Sequence, residues 1–265
     1  MRASRMSCAR NKHERVAETT LDAALGGRLE LRQPRRGHRF GHDALLLAAA
    51  TAARPGEHAV DLGAGVGAAG LALALRVPGL RVTLVEVDAD LAALARDNAV
   101  RNRLADRARS LVLDATAPAR SFAAAGCTAG SADRVLMNPP FNAPQHPSPQ
   151  SARRLAHVAA KDVAAWVRSA ARLLRPKGVV TLIWRADGLA QVLDALDRDF
   201  GAVAVLPVHA RPDAAAVRVL VRAVKSSRSP LALLPGFLLA DAAGRPTAEA
   251  EAVLREHATL SLADL

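Results

Sequence analysis

His58-Ala-Val-Asp-Leu-Gly-Ala-Gly-Val-Gly67 runs from an apolar, strand-like stretch into three alternating glycines. An apolar segment with helical character, Ala68 to Leu75, follows, and Val82-Thr-Leu-Val-Glu86 reads as a second strand ending in a carboxylate. Glycines at a strand-to-helix turn let backbone approach a ligand closely. The helix start presents N–H groups that have no intrahelical acceptor. Glu86 is suited to gripping two ribose hydroxyls. This is the nucleotide-binding βαβ pattern of an open α/β sheet.

The glycines leave the ligand open. Gly65-x-Gly67-x-x-Gly70 also fits a dinucleotide fingerprint, with Glu86 near the ~20-residue distance that fingerprint expects. Two other acids favour a methyl donor. Asp61 stands just before the glycines, where it can face the ammonium group of a methionine moiety or its ordered water. A third strand-like run, Ser110-Leu-Val-Leu113, ends in Asp114, which can accept from an adenine amino group. A dinucleotide gives Asp61, Asp114 and Asn138 no shared task.

Arg134-Val-Leu-Met137 reads as a buried strand that delivers Asn138-Pro-Pro-Phe141 to a strand's carboxyl end, where open α/β sheets place their chemistry. The Asn138 carboxamide oxygen and the Pro139 carbonyl, on a chain of fixed φ, are two acceptors. Phe141 adds a flat apolar face. Two acceptors beside a stacking surface suit a planar group bearing an –NH2, such as adenine or a carboxamide. A Pro-rich turn capped by Asn is the plainer alternative.

Together, Asp61 to Gly67, Glu86, Asp114 and Asn138-Pro-Pro-Phe141 resemble the motif set of class I S-adenosylmethionine-dependent methyltransferases. The Asn-Pro-Pro-Phe element resembles members that methylate amino nitrogens. Gly37-His-Arg-Phe-Gly-His-Asp43-Ala-Leu-Leu-Leu47 is similar to the bacterial tRNA1(Val) adenine(37)-N6 methyltransferases. Arg153-Arg154, Leu173 to Gly178 and Val217 to Val221 agree with that likeness. The resemblance implies S-adenosylmethionine held by Gly41, Asp43, Asp61, Gly63, Gly65, Gly67, Glu86, Asp114 and Asn138. It implies a catalytic set of Asn138, Pro139, Pro140 and Phe141, no metal, and RNA as substrate, with a tRNA anticodon loop foremost. Protein glutamine-N5 methylation and rRNA or DNA adenine-N6 methylation are the alternatives. Glutamine enzymes of this kind carry a helical N-terminal domain, for which the short arm here leaves no room.

The chemistry such a site must do follows from adenine's electronics. The N6 lone pair is delocalised into the ring. Accepting both N6 hydrogens draws charge onto nitrogen and favours a more tetrahedral geometry, so the gain is positioning and electrostatics without a strong base. The adenine must leave its stack, which is cheaper in a loop than in a duplex.

Charge points the same way. The net charge is +11 and the pI ≈ 11.2, which favours a polyanionic partner. A GC-rich genome also produces arginine, so the sign imbalance carries the inference. Arg28, Arg32, Arg35, Arg36 and Arg39 precede the cofactor segment, and Arg35 and Arg36 could border the site's mouth. Arg211, Arg218, Arg222, Lys225 and Arg228 cluster late in the chain. Arg35, Arg36, Arg153 and Arg154 are the candidate phosphate contacts.

The pattern predicts a basic disordered arm over 1–20 and a single methyltransferase domain over 21–265. Its expected fold is a Rossmann-like, seven-stranded, mostly parallel α/β sheet with an antiparallel final strand and helices on both faces. Strands are expected at 58–62, 81–87, 109–114, 133–137, 179–185, 202–208 and 216–224, with Pro176-Lys177-Gly178 stopping a helix over 161–174. Trp166 and Trp184 read as core, and His146 and His157 as solvated loop residues. No stretch reaches the ~18 apolar residues of a spanning helix. The arm has no secretory h-region. Cys8 and Cys127 lack metal or disulfide spacing. A cytoplasmic protein with no membrane partner, and a monomer, is the expectation.

Overall fold

The computed structural model describes residues 18–36, 39–140 and 163–264. A hairpin comes first: β1 (Thr19–Ala24) pairs antiparallel with β2 (Leu29–Pro34), Thr19 opposite Pro34. Then follow α1 (His42–Ala50), β3 (His58–Leu62), α2 (Ala68–Arg76), β4 (Arg81–Glu86), α3 (Ala89–Arg101), β5 (Ala108–Val112), α4 (Ala119–Ala124) and β6 (Ala132–Met137). The second half holds α5 (163–173), β7 (Leu174–Arg185), α6 (Leu189–Leu196), β8 (Phe200–His209), β9 (Ala216–Lys225), the two-residue strands β10 (Ala232–Leu233) and β11 (Phe237–Leu238), and α7 (Ala248–Arg255).

The main sheet runs β10-β8-β9-β7-β6-β3-β4-β5, with β11 also on β8. Every pairing is parallel except those of β9, which is antiparallel to both neighbours. The expected seven strands are therefore present in a sheet of nine, β10 and β11 having been added along β8. Both faces are covered. Leu46 and Leu47 of α1, Leu71 and Leu73 of α2, and Val253 of α7 pack on one face with Leu84. Phe122 of α4, Val163 and Val167 of α5, and Val192 of α6 pack on the other with Val60, Leu62 and Val85. Burial on both sides explains why the central strands read as apolar runs rather than as alternations.

Four features depart from the sequence expectation. The first strand begins at Thr19, two residues inside the expected arm; residues 1–17 lie outside the described residues. The hairpin itself is additional, as is α4. Pro176-Lys177-Gly178 does not separate helix from strand: β7 starts at Leu174, opposite Ala132, and its register resumes with Val179 opposite Arg134. The extra residues form a bulge, with Lys177 at φ 66.

The hairpin's free edge is satisfied by a helix. Asn98 of α3 accepts from Arg32 N (2.7 Å) and donates through Nδ2 to Arg32 O (2.9 Å) and Val66 O (3.0 Å). One turn on, Asn102 accepts from Glu30 N and donates to Glu30 O. Two asparagines four residues apart thus stand in for a neighbouring strand. Asn98 is fully buried. Asn98→Ala leaves three backbone groups without partners, the Val66 carbonyl buried and those of Arg32 part-buried, and is expected to cost roughly 2–4 kcal/mol, measured by denaturant unfolding; a loss below ~0.5 kcal/mol contradicts the assignment.

Candidate active site

β3 lies between β4 and β6, and the chain leaves β3 in one direction and returns to its other side. Ligands of open α/β sheets bind at the carboxyl ends of such strands. A cavity of ≈ 350 Å³ opens there, lined by Gly41, Asp43, Asp61, Gly63, Gly65, Asn138, Pro139 and Pro140, with Arg39, Phe40, Ala68 and Ala69. Its size falls within the range of small-molecule sites.

The glycine loop is curled over β4. Gly63 N and Ala64 N both donate to Val85 O (2.8 and 2.9 Å), and Gly65 N donates to Glu86 Oε2 (2.8 Å). Gly63, Gly65 and Gly67 have φ of 70°, 56° and 89°. Gly63 also admits no side chain: a Cβ there would sit 2.4 Å from Cη2 of Trp166 on α5. Trp166, expected in the core, is half-buried and serves as the floor of this loop. Trp184 is buried core, as expected.

Gly67 caps α2 with no side-chain acceptor. Asp61, from the end of β3, supplies one instead, its Oδ2 accepting from Gly70 N at 2.8 Å. Ala68 and Ala69, whose N–H groups have no intrahelical acceptor, remain at the cavity wall. Burial pushes the Asp61 carboxyl up to about 7; the Gly70 N–H holds it down and the Glu86 charge adds to the rise. Above the unfolded value of 3.8 and up to about 7, the folded state holds a proton that the unfolded chain has lost. This residue therefore makes stability fall as pH rises through that window. An ammonium group set against Asp61 favours its carboxylate. Binding of S-adenosylmethionine at about pH 6 is expected to release up to one proton, read as calorimetric heats that depend on buffer ionisation enthalpy. Asp61→Asn should abolish the dependence, and equal heats in all buffers for the parent protein contradict it.

Asn138 lines the cavity, and its Oδ1 is buried with no hydrogen-bond partner among the described residues. A buried acceptor left unpaired is costly and fits a site that receives a donor. Pro139, which follows it, is buried, and Pro140 is exposed. Phe141, Arg153 and Arg154, with His146 and His157, lie outside the described residues.

The remaining expected cofactor residues have other first partners. Glu86 does not line the cavity; its two oxygens accept from Gly65 N and from Asp88 N (3.0 Å), so it fixes the loop and keeps further lone pairs. Asp114 is exposed and accepts from the N–H and hydroxyl of Thr116 (2.7 and 2.8 Å). Asp43 is ion-paired with Arg218 of β9, Oδ2 to Nε 2.9 Å, 175 residues away in the chain. Arg39, not singled out as a cofactor contact from the sequence, lines the cavity while its guanidinium donates to Thr20 Oγ1, Pro34 O and Asp22 Oδ2. Gln33 donates to the same Asp22 oxygen and accepts from Phe40 N. The hairpin is thereby fastened to the cavity's rim. Arg35 and Arg36 follow Pro34, both exposed and neither among the residues lining the cavity; Arg35 faces Glu18 at 3.5 Å, a surface pair of little energetic weight.

Among the described residues no helix is long and apolar enough to cross a membrane, and no group of three or more His, Cys, Asp or Glu could hold a metal. Cys127 is buried beside Arg109.

Residues 40–211 match the model of the methyltransferase small domain family. The chain is 34% identical over 163 residues to a release factor glutamine methyltransferase of Chlorobaculum tepidum, covering 58% of this chain and 54% of the relative. It is 30% identical over 174 residues to a tRNA1(Val) (adenine(37)-N6)-methyltransferase of Porphyromonas gingivalis, covering 61% and 64%. The chain thus spans between about half and two thirds of these relatives' lengths. The crystal structure of a predicted O-methyltransferase, Atu636 from Agrobacterium tumefaciens, superposes with a TM-score of 0.71 at 28% identity, over 82% of this chain and 98% of that one. With the glycine loop, the free amides of α2 and Asp61 around one cavity, the residues present fit S-adenosylmethionine, and the chain, with an α/β fold of the class I methyltransferase type, belongs to the methyltransferase small domain family.

Proposed function

We propose that this methyltransferase acts on the exocyclic N6 amino group of adenine in RNA, most closely in the manner of a tRNA enzyme, in the cytoplasm. The observation that carries the reading is the buried, unpartnered Oδ1 of Asn138 at the sheet's switch point. An amino group placed there would find one acceptor in Oδ1 and a second in the Pro139 carbonyl. Both hydrogens held in this way leave the nitrogen lone pair directed away from them, and the nitrogen gains charge as it becomes tetrahedral. The cofactor supplies an electrophilic methyl group on a sulfonium. Gly63 and Gly65 would cradle it, the Ala68 and Ala69 amides would take its carboxylate, and Asp61 would face its ammonium. Glu86 and Asp114 are proposed for ribose and adenine through the lone pairs their structural bonds leave open.

Support for RNA comes from the charge of +11 and from the exposed Arg35 and Arg36 on the hairpin that Arg39 ties to the cavity. Phosphate contacts release counterions, so tRNA affinity should fall with a slope of about −0.7 per contact in a log–log salt plot. Charge reversal at Arg35 and Arg36 should raise the KM for tRNA and leave cofactor affinity unchanged. Salt-indifferent binding, or an unchanged KM, counts against the assignment. The 34% identity to a glutamine methyltransferase favours a second reading, in which the same two acceptors hold a glutamine carboxamide.

A further inference from the structure

A second cavity, of ≈ 530 Å³, lies at the opposite ends of the strands, lined by His58, Arg81, Thr83, Arg107, Arg109 and Ser131 among others. The register explains why these residues meet. His58 stands opposite Arg81, and Thr83 opposite Arg109. The alternation that buries Val60, Leu62 and Val85 places these four on the same face, nearer the amino ends of β3, β4 and β5. Basic residues thus occupy the positions where that face's apolar packing stops.

Arg107, Arg109 and His58 are held by hydrogen bonds to neutral groups, and Arg81 is exposed at the edge. Arg109 donates through Nε to Thr83 Oγ1 (3.1 Å) and through Nη2 to Gly126 O (2.9 Å). Arg107 donates through Nη1 to Ala74 O and Val77 O. His58 Nδ1 lies 3.1 Å from Ser131 O, and its Nε2 2.9 Å from Thr83 Oγ1. Because a carbonyl only accepts, Nδ1 carries the hydrogen; the Thr83 hydroxyl then donates to Nε2 and accepts from Arg109. Among the described residues none of Arg81, Arg107 and Arg109 takes part in an ion pair, and Asp106 is the one acid in the wall. Burial holds the His58 imidazole below its usual range; the Ser131 carbonyl opposes this, while the Arg81 and Arg109 charges add to it and Asp133 opposes it. Three guanidiniums around one concavity, with Asp106 as the one acid among its lining residues, suit a phosphate group, which guanidinium recognises by paired N–H donors. Arg107 and Arg109 are already held in place, which lowers the ordering cost of binding.

We propose that this cavity is a phosphate-binding site, separate from the methyl-transfer cavity and built by Arg81, Arg107 and Arg109, with His58 in its wall as the reporter. The phosphate can come from free solution or from a nucleic-acid backbone, and two probes separate these sources. The His58 ring resonances of the whole protein are followed by heteronuclear NMR during titration with inorganic phosphate and, separately, with a short single-stranded oligoribonucleotide. The expected result is a saturable shift of His58 that leaves His209 and His257 unmoved. Saturation by inorganic phosphate assigns a free anion; saturation by the oligonucleotide alone assigns a backbone phosphate. Arg81→Glu, which removes an exposed side chain outside the strand core, should weaken the effect by about tenfold or more, with Arg81→Ala intermediate and amide spectra otherwise unchanged. No saturable shift with either probe, or an equal shift in Arg81→Glu, overturns the site. Neither probe is read through methyl transfer, so this outcome is independent of which substrate the enzyme methylates.

Discussion

Asn138→Ala is expected to lower methyl transfer by about 10²–10³-fold, the usual loss when one preorganised acceptor or donor is removed from a reacting centre. Cofactor affinity should stay within a few-fold. The split follows from where the residue stands. Asn138 extends from β6, and its Oδ1 has no hydrogen-bond partner among the described residues. Its loss therefore breaks no hydrogen bond of Oδ1 in the fold. The loop proposed to cradle the cofactor is held by other groups, Val85 O and Glu86 Oε2. Single-turnover rates and calorimetric binding of the demethylated cofactor product check the two halves separately. A fully active variant removes Asn138 from the reaction; a variant that loses cofactor binding and activity in parallel makes it a structural residue of the loop.

Gly63→Ala is expected to weaken cofactor binding by more than tenfold. Two costs add. At φ 70° an L-residue is strained by roughly 1–2 kcal/mol, and the new methyl would overlap the Trp166 ring, with Cβ to Cη2 at 2.4 Å, overpacking that typically costs about 1–3 kcal/mol. Either the loop or the indole must move, and the loop lines the cavity proposed for the cofactor. The pairing with Trp166 gives a sharper test than the single variant. Gly63→Ala combined with Trp166→Leu should recover part of the affinity, because the overlap is relieved and only backbone strain remains. Calorimetry on the single and double variants measures this; a double variant no better than Gly63→Ala shows that Trp166 is not the floor of the loop.

The sheet was legible because its central strands are short apolar runs ending in polar residues. Leu62 before Gly63, Val85 before Glu86 and Met137 before Asn138 mark the strand ends that form the site. What escaped depends on contacts far apart in sequence. The β2 stretch Leu29-Glu-Leu-Arg-Gln carries a period-two pattern, but it is only six residues long with Pro34, and its edge depends on Asn98 and Asn102, some seventy residues on. The bulge at Pro176-Lys177-Gly178 uses residues that ordinarily end an element, and only the pairing of Leu174 with Ala132 reveals a strand. Of the expected cofactor residues, Gly41, Asp43, Asp61, Gly63, Gly65 and Asn138 line one cavity while Gly67, Glu86 and Asp114 do not, and residue types did not indicate what else each binds. Glu86 and Asp114 were read as ligand contacts, yet each also holds its own turn. Asp43 was read the same way, and its Arg218 partner is visible only once β9 lies beside β7.

The central claim is that the acceptors at Asn138 and Pro139 serve an adenine amino group in RNA. Its most direct test is incubation of the protein with isotopically labelled S-adenosylmethionine and total tRNA from a strain that lacks the gene, followed by nucleoside analysis, with peptide release factors as a parallel substrate. The account predicts label in N6-methyladenosine from the tRNA digest, absent with Asn138→Ala. Label confined to glutamine of the release factor, with unlabelled tRNA, contradicts it.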